Sequence, residues 1–258
     1  MNKNMEFPGK FLANYAATLL KCGATTVRIE KNVCRIAEAY GLKAEVSIYP
    51  RHVEVILINS DNGSNITESE AICEWGVNYL IVAALSKLSW NCHDRHPDPK
   101  AIIRQYRSIM RPRIIQPYVV NMLTASANAS FCRLFEGDNI SMAIVFVATA
   151  CGFYVKTALR EKWHIDARVN IFIAGCVSAI LSCSGYVFKW GTTPDVALAT
   201  SVLYLVPGIH YLNAASDIIN SHYICAVCRF IHAGIITICL SAGLYAAMML
   251  MNIGLIQK

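Results

Sequence analysis

Charge is what this sequence is short of. Only 16% of its residues are Asp, Glu, Lys or Arg, against about 25% in an average soluble chain. The shortage is local. Residues 1–113 hold 15 of the 23 Lys/Arg and 11 of the 17 Asp/Glu. The remainder is too poor in charge to present a surface to water, which excludes an ordinary soluble fold for it. Enzyme motifs are missing too: there is no GxSxG, HExxH, P-loop or GxGxxG, so no catalytic residue, cofactor or ATP-hydrolysing engine is assigned. The opening MNKNMEFPGKF has no long apolar run and no cleavage site, and no secretory leader is read there.

Cysteine, by contrast, is plentiful at eleven. Cys132, Cys151, Cys176, Cys183 and Cys239 lie inside apolar runs, where a free thiol acts as a small hydrophobe. A disulfide scaffold is not indicated, and a reducing compartment fits the charged part. Cys225-x-x-Cys228 has no second pair, and Cys92-His93-Asp94-Arg95-His96 has no fourth ligand at metal spacing, so no metal is assigned. The net charge of +6 raises nucleic acid as a partner, but the positive residues flank apolar segments rather than interleave with aromatics. That pattern is a membrane topology signal and leaves nucleic acid out.

The charged part, residues 1–113, reads as an α+β domain. Helical spacing covers residues 11–20 and 25–40, separated at Cys22-Gly23-Ala24 and stopped at Gly41. Alternating, β-branched stretches at 44–49 and 52–59 predict strands with a turn at Pro50-Arg51. Asp61-Asn62-Gly63-Ser64 is a turn signal that a third short strand can follow. Residues 75–90 return to helical spacing, His96-Pro97-Asp98-Pro99 interrupts it, and 100–109 predict a last short helix.

Residues 114–258 predict an α-helical bundle of five transmembrane spans, at 114–135, 140–159, 169–188, 196–216 and 230–254. Each supplies the roughly 20 mostly apolar residues that a crossing needs. The last three contain no Asp, Glu, Lys or Arg within 169–188, 196–216 and 230–254, except that Asp217 and Arg229 stand just outside their ends. Lys100, Arg104, Arg107, Arg111 and Arg113 precede the first span, and Lys156, Arg160, Lys162 and Arg168 bracket the second loop. The positive-inside rule then puts the α+β domain in the cytoplasm and the C-terminus outside.

Two segments are unusually polar or broken. Asn121, Thr124 and Asn128 share one face of the first span, and Ser126 and Ser130 share another. Such groups either pair between helices or line a wet path, and the pattern leaves both open. Pro207-Gly208 interrupts the fourth span, with Asn213 and Asp217 on nearly one face beyond it. The interruption frees backbone groups for a solute or is an ordinary kink; Asp217 is a candidate proton or ion site. Asn121, Thr124, Asn128, Pro207, Gly208, Asn213 and Asp217 are the candidate substrate path. Ser126, Ser130, Gly175, Ser178 and Ser182 are the small, weakly polar residues expected on an exposed interface with a partner.

Two stretches resemble a known family. Leu20-Lys21-Cys22-Gly23-Ala24-Thr25-Thr26-Val27-Arg28-Ile29-Glu30, running on to Ile36-Ala37 and Gly41-Leu42, resembles the opening of the threonine/serine exporter family. Leu205-Val206-Pro207-Gly208, with Asn213-Ala214 and Asp217-Ile218, resembles its membrane motif. The order of domain and spans is similar too, and the likeness covers nearly the whole chain. With five spans the chain looks like the larger subunit of the split, two-component form. The resemblance implies export of threonine and serine, or of a dicarboxylate such as succinate, across the bacterial inner membrane. It also implies an ion gradient as the driving force and a small separate membrane protein as the other half of a hetero-oligomer. Cysteine richness, including Cys22 beside the Gly-Ala turn, departs from the pattern. The alternative is a membrane-anchored sensor or scaffold whose cytoplasmic domain does the work.

Overall fold

A computed structural model describes residues 3–59, 63–72, 76–111 and 115–252. The described chain forms two compact units. Met1–Arg113 with Gly208–Ile231 make the first, and Ile114–Pro207 with His232–Lys258 make the second.

The first unit opens with α1 (Lys3–Lys21) and α2 (Thr26–Ala39), followed by β1 (Leu42–Ile48), β2 (His52–Asn59) and β3 (Asn65–Ala71). The strands form one antiparallel meander in the order β1-β2-β3, with Leu42 opposite Asn59 and Val55 opposite Glu68. Alternation decides which side chains go inward: Val53, Val55 and Leu57 of β2 are wholly buried, with Leu12, Leu19, Ile29, Val33 and Ile36 of the helices in the same core. Then come α3 (Tyr79–Arg95) and α4 (Pro99–Ile109). Asn78 caps α3 by accepting from the Ile81 amide at 3.2 Å, and His96 ends it in the left-handed conformation at φ 43°. Cys92 is buried in the core, whereas His93 is exposed and bonded to Asp94.

α2, β1, β2 and α4 lie within about two residues of the expected positions, whereas α1 begins eight residues earlier than expected and α3 runs five residues past the expected end at 90. Asp61 and Asn62 of the anticipated turn, Trp75 at the anticipated helix start, 112–114 at the junction and 253–258 at the end lie outside the described residues. β3 is the third strand that the turn signal allowed.

The second unit contains α5 (Pro117–Leu134), α6 (Asn139–Trp163), α7 (Ala167–Val187) and α8 (Pro194–Ser201), with a 3-10 turn at Leu203–Leu205. Next follow α9 (Gly208–Ile219), in the first unit, and α10 (Tyr223–Leu250), which begins in the first and ends in the second. Among the described residues, three helices are long and apolar enough to cross a membrane: α6, α7 and α10. Residues 194–205 and α9, bent by 66°, make a fourth if counted as one broken span. The helix in place of the expected first span, α5, has 18 residues, and its Asn and Ser side chains dilute its hydropathy.

The expected fourth span at 196–216 is not one kinked helix. Pro207 has no amide hydrogen and its ring excludes the carbonyl of a preceding turn, so the chain leaves helical geometry at Val206 (φ −65°, ψ 127°) and restarts at Gly208.

Glycines let the helices of the second unit approach closely. A methyl group on Gly152 of α6 would overlap the Ser178 hydroxyl of α7 and the Tyr204 hydroxyl, and one on Gly243 of α10 would overlap the Phe172 carbonyl of α7. Beyond the helices, Asp138 joins two loops. Its carboxylate caps α6 by accepting from the Ser141 amide at 2.7 Å and accepts from the Thr192 amide at 2.7 Å. Ser141 and Thr192 donors hold its carboxyl down to about 2, from an ordinary value near 4. The stabilisation is therefore present above pH 4 and lost as the pH falls toward 2. The Asp138→Asn variant should melt below wild type in detergent at pH 7, and the gap should close across that acid window. A pH-independent gap would mean that the ionised carboxylate is not what joins the loops.

Candidate functional site

Helix α1 stops because Gly23, at φ 84°, takes a conformation that side chains disfavour; the Ala24 amide then bonds back to the Leu19 carbonyl at 3.0 Å. Helix α2 starts two residues later without a cap of its own. Thr25 makes no side-chain capping bond, and the first turn holds no acid. The cap comes from α9. Asp217 Oδ1 accepts from the Thr26 amide at 3.3 Å, which places a carboxylate at the positive end of α2.

The rest of the cluster follows from satisfying that charge. Arg229 of α10 lies 3.1 Å from Asp217 Oδ2 and donates from Nη2 to the Ala24 carbonyl at 3.0 Å. Asn213 Nδ2 donates to the Gly23 carbonyl at 2.8 Å, and Cys225 Sγ to the Ile48 carbonyl at 3.2 Å. Asp217 is 0% exposed and Arg229 4%. A tight turn joins α9 to α10, with Ser221 at φ 63° and the His222 amide on the Asp217 carbonyl at 2.8 Å. All of these residues belong to the first unit. Asn213 and Asp217, expected beside a solute path, thus engage the Gly23–Thr26 turn. Arg229 and Thr26 complete the pair although spacing alone did not single them out; a charge just before a long apolar helix was the available signal.

The second unit brings Asn121 and Asn128 against α6. Asn121 Nδ2 donates to the Ala150 carbonyl and Asn128 Nδ2 to the Thr149 hydroxyl, each at 3.1 Å. Thr149 in turn donates to the Ser201 carbonyl at 3.4 Å. Thr124 is less outward-reaching: its hydroxyl bonds the Val120 carbonyl at 2.8 Å, within its own helix. Ser126 and Ser130 do likewise and are exposed. Ser178 bonds the Ala148 carbonyl and Tyr204, at 3.2 and 3.0 Å. Gly175, Ser178 and Ser182 are buried between helices, not on an exposed interface as expected, because their small size lets α7 approach its neighbours. Two buried oxygens in this seam, Asn121 Oδ1 and Ser182 Oγ, have no hydrogen-bond partner. Pro207 ends the first stretch of the second unit and Gly208 opens α9, where a Cβ would meet nothing within 4 Å.

Long apolar helices, a helix broken at Val-Pro-Gly and a polar seam between helices are the features of a membrane transporter bundle joined to an α+β domain. The chain belongs to the threonine/serine exporter family: the family described as "Putative threonine/serine exporter" matches residues 10–251. It is similar to the "Probable succinate transporter subunit YjjP" of Escherichia coli (strain K12), at 23% identity over 233 residues, covering 89% of each chain. The protein of the same name from Klebsiella aerogenes is 23% identical over 236 residues, covering 90% of each chain. No solved structure matches.

The ion pair gives a direct test. Replacing one partner leaves the other charge buried and uncompensated, at a cost of about 3–5 kcal/mol, whereas replacing both with apolar residues is far milder. Arg229→Leu should lower the melting temperature in detergent sharply, and Asp217→Leu/Arg229→Leu should recover most of the loss. A double variant as unstable as the single one would show that the hydrogen bonds to Ala24 and Thr26 matter more than charge pairing.

Proposed function

We propose that this chain is the larger half of a two-component secondary transporter. It exports a small polar metabolite, threonine/serine or a dicarboxylate such as succinate, across the bacterial inner membrane. The observation that carries this reading is the family match over residues 10–251. Relatives that the chain covers over about nine-tenths of their length bear the name of a transporter subunit, which supports a half that works with another.

In this reading α5, α6, α7, the broken α8–α9 segment and α10 make five crossings. The α+β domain is cytoplasmic and the C-terminus lies outside, a placement that the Lys/Arg asymmetry supports. An odd number of crossings lets a small membrane protein of inverted orientation supply the other half, with the substrate bound near the midplane. The solute path runs along α5 and the broken segment. Asn121, Thr124 and Asn128 supply hydrogen bonds, and Asn121 has an acceptor to spare. Pro207-Gly208 supplies backbone groups. Asn213 and Asp217 complete the polar lining of the path just beyond the break, and an ion gradient drives export. A sensor or scaffold needs only an anchor, and an anchor needs neither a polar seam nor a broken helix.

Two measurements test this. Cells expressing the chain with its small membrane partner should export the metabolite, and cells expressing either alone should not. Asn128→Ala should cut efflux severalfold at unchanged membrane abundance. Full efflux from proteoliposomes holding this chain alone would defeat the half-transporter reading, and unchanged efflux in Asn128→Ala would remove α5 from the path. Reporters fused at Lys258 should be active only on the outer side; cytoplasmic activity would overturn the five-crossing topology.

A further inference from the structure

Helix α4 has two opposite faces. On one, Ile102 is buried in the domain core, with Tyr106 and Ile109 packed against it. The Tyr106 hydroxyl is also bonded to Thr18 at 2.7 Å and to Asn14 at 2.6 Å. These contacts fix the rotation of the helix. At about 100° per residue, Lys100, Arg104 and Arg107 fall within an arc of about 60° on the opposite side, and Arg111 follows two residues after the helix ends. All four are exposed, and among the described residues none forms an ion pair. Like charges three and four residues apart repel each other, so this face is destabilising by itself and favours an external anion.

The positive-inside rule explains a surplus of Lys and Arg before a span, but it asks only for number and proximity. It does not ask for three cations in register on a helix whose other face is anchored, with a fourth just past its end. The face offers no aromatic ring on which a base could stack, which disfavours nucleic acid. Its place in the chain favours lipid, since α5 begins after only seven intervening residues. Clusters of four or more cations next to a span are attracted to the anionic cytoplasmic leaflet, by about fivefold in affinity per cation.

We propose that the basic face of α4 is a docking surface for anionic phospholipid headgroups, which seats the α+β domain on the cytoplasmic leaflet. The proposal rests on the reading that α5 crosses the bilayer. The domain is then held by charge as well as by chain connection, and the hold weakens with ionic strength as screening grows.

The test uses the full chain in nanodiscs of phosphatidylcholine alone or with phosphatidylglycerol, read by amide hydrogen exchange. Phosphatidylglycerol should slow exchange in α4 by at least about fivefold. High salt should abolish the effect, and so should K100Q/R104Q/R107Q/R111Q, whose substitutions are all at exposed positions. Equal exchange in both lipids overturns the proposal. So does slowing caused by an added oligonucleotide in phosphatidylcholine discs without any response to phosphatidylglycerol. Exchange in α5 is read from the same samples: a freely exchanging α5 refutes the five-crossing reading, whatever α4 does.

Discussion

The first unit depends on one constraint: a charge removed from water must find an opposite charge and hydrogen-bond partners. Asp217 and Arg229 are both buried, and an unpaired ion in such a place costs several kcal/mol. Their pairing draws together segments far apart in the sequence. Asp217 caps α2, Arg229 holds the Ala24 carbonyl and Asn213 holds the Gly23 carbonyl. The turn at Gly23 is shaped for this, since its left-handed conformation presents successive carbonyls instead of continuing the helix. The two stretches that carried the family resemblance, around Gly23-Ala24 and around Pro207–Asp217, are therefore two sides of one cluster.

In the second unit the corresponding constraint is weaker and more distributed. No ion pair lies between α5, α6, α7 and α8 among the described residues. Neutral hydrogen bonds link the helices instead, from Asn121 and Asn128 to α6 and from Ser178 to Ala148 and Tyr204. Each such bond contributes about 1 kcal/mol in an apolar setting. A seam of many small terms can rearrange one bond at a time, which a fully buried ion pair cannot do.

Local pattern made much of this legible. Strand alternation located β1 and β2 because one face of each is buried, and Gly23 and Gly41 marked helix ends because their φ angles are positive. The cluster at Asp217 was harder to read. Sequence showed a carboxylate beyond a broken span and assigned it to a solute path; that α2 lacks a cap becomes a requirement only when the helix is packed. The seam was read as two open possibilities because a serine that bonds its own helix, such as Ser126, and an asparagine that reaches a neighbour, such as Asn128, have the same spacing. Periodicity gives the face a residue occupies, not what stands opposite it.

Helix length reconciles the buried arginine with an apolar helix. α10 has 28 residues, about 42 Å at 1.5 Å per residue, whereas a bilayer's hydrocarbon core is about 30 Å thick. Roughly eight residues are therefore surplus to a crossing. Tyr223–Ile231, the stretch that belongs to the first unit, is of that length, and Arg229 lies within it. An arginine at the middle of a span would cost about 2.5–3.5 kcal/mol. Near the start of the helix it instead forms an ion pair with Asp217 and donates from Nη2 to the Ala24 carbonyl, although its buried Nη1 has no hydrogen-bond partner. One continuous helix can thus carry a buried charge near its start and remain apolar over the rest of its length.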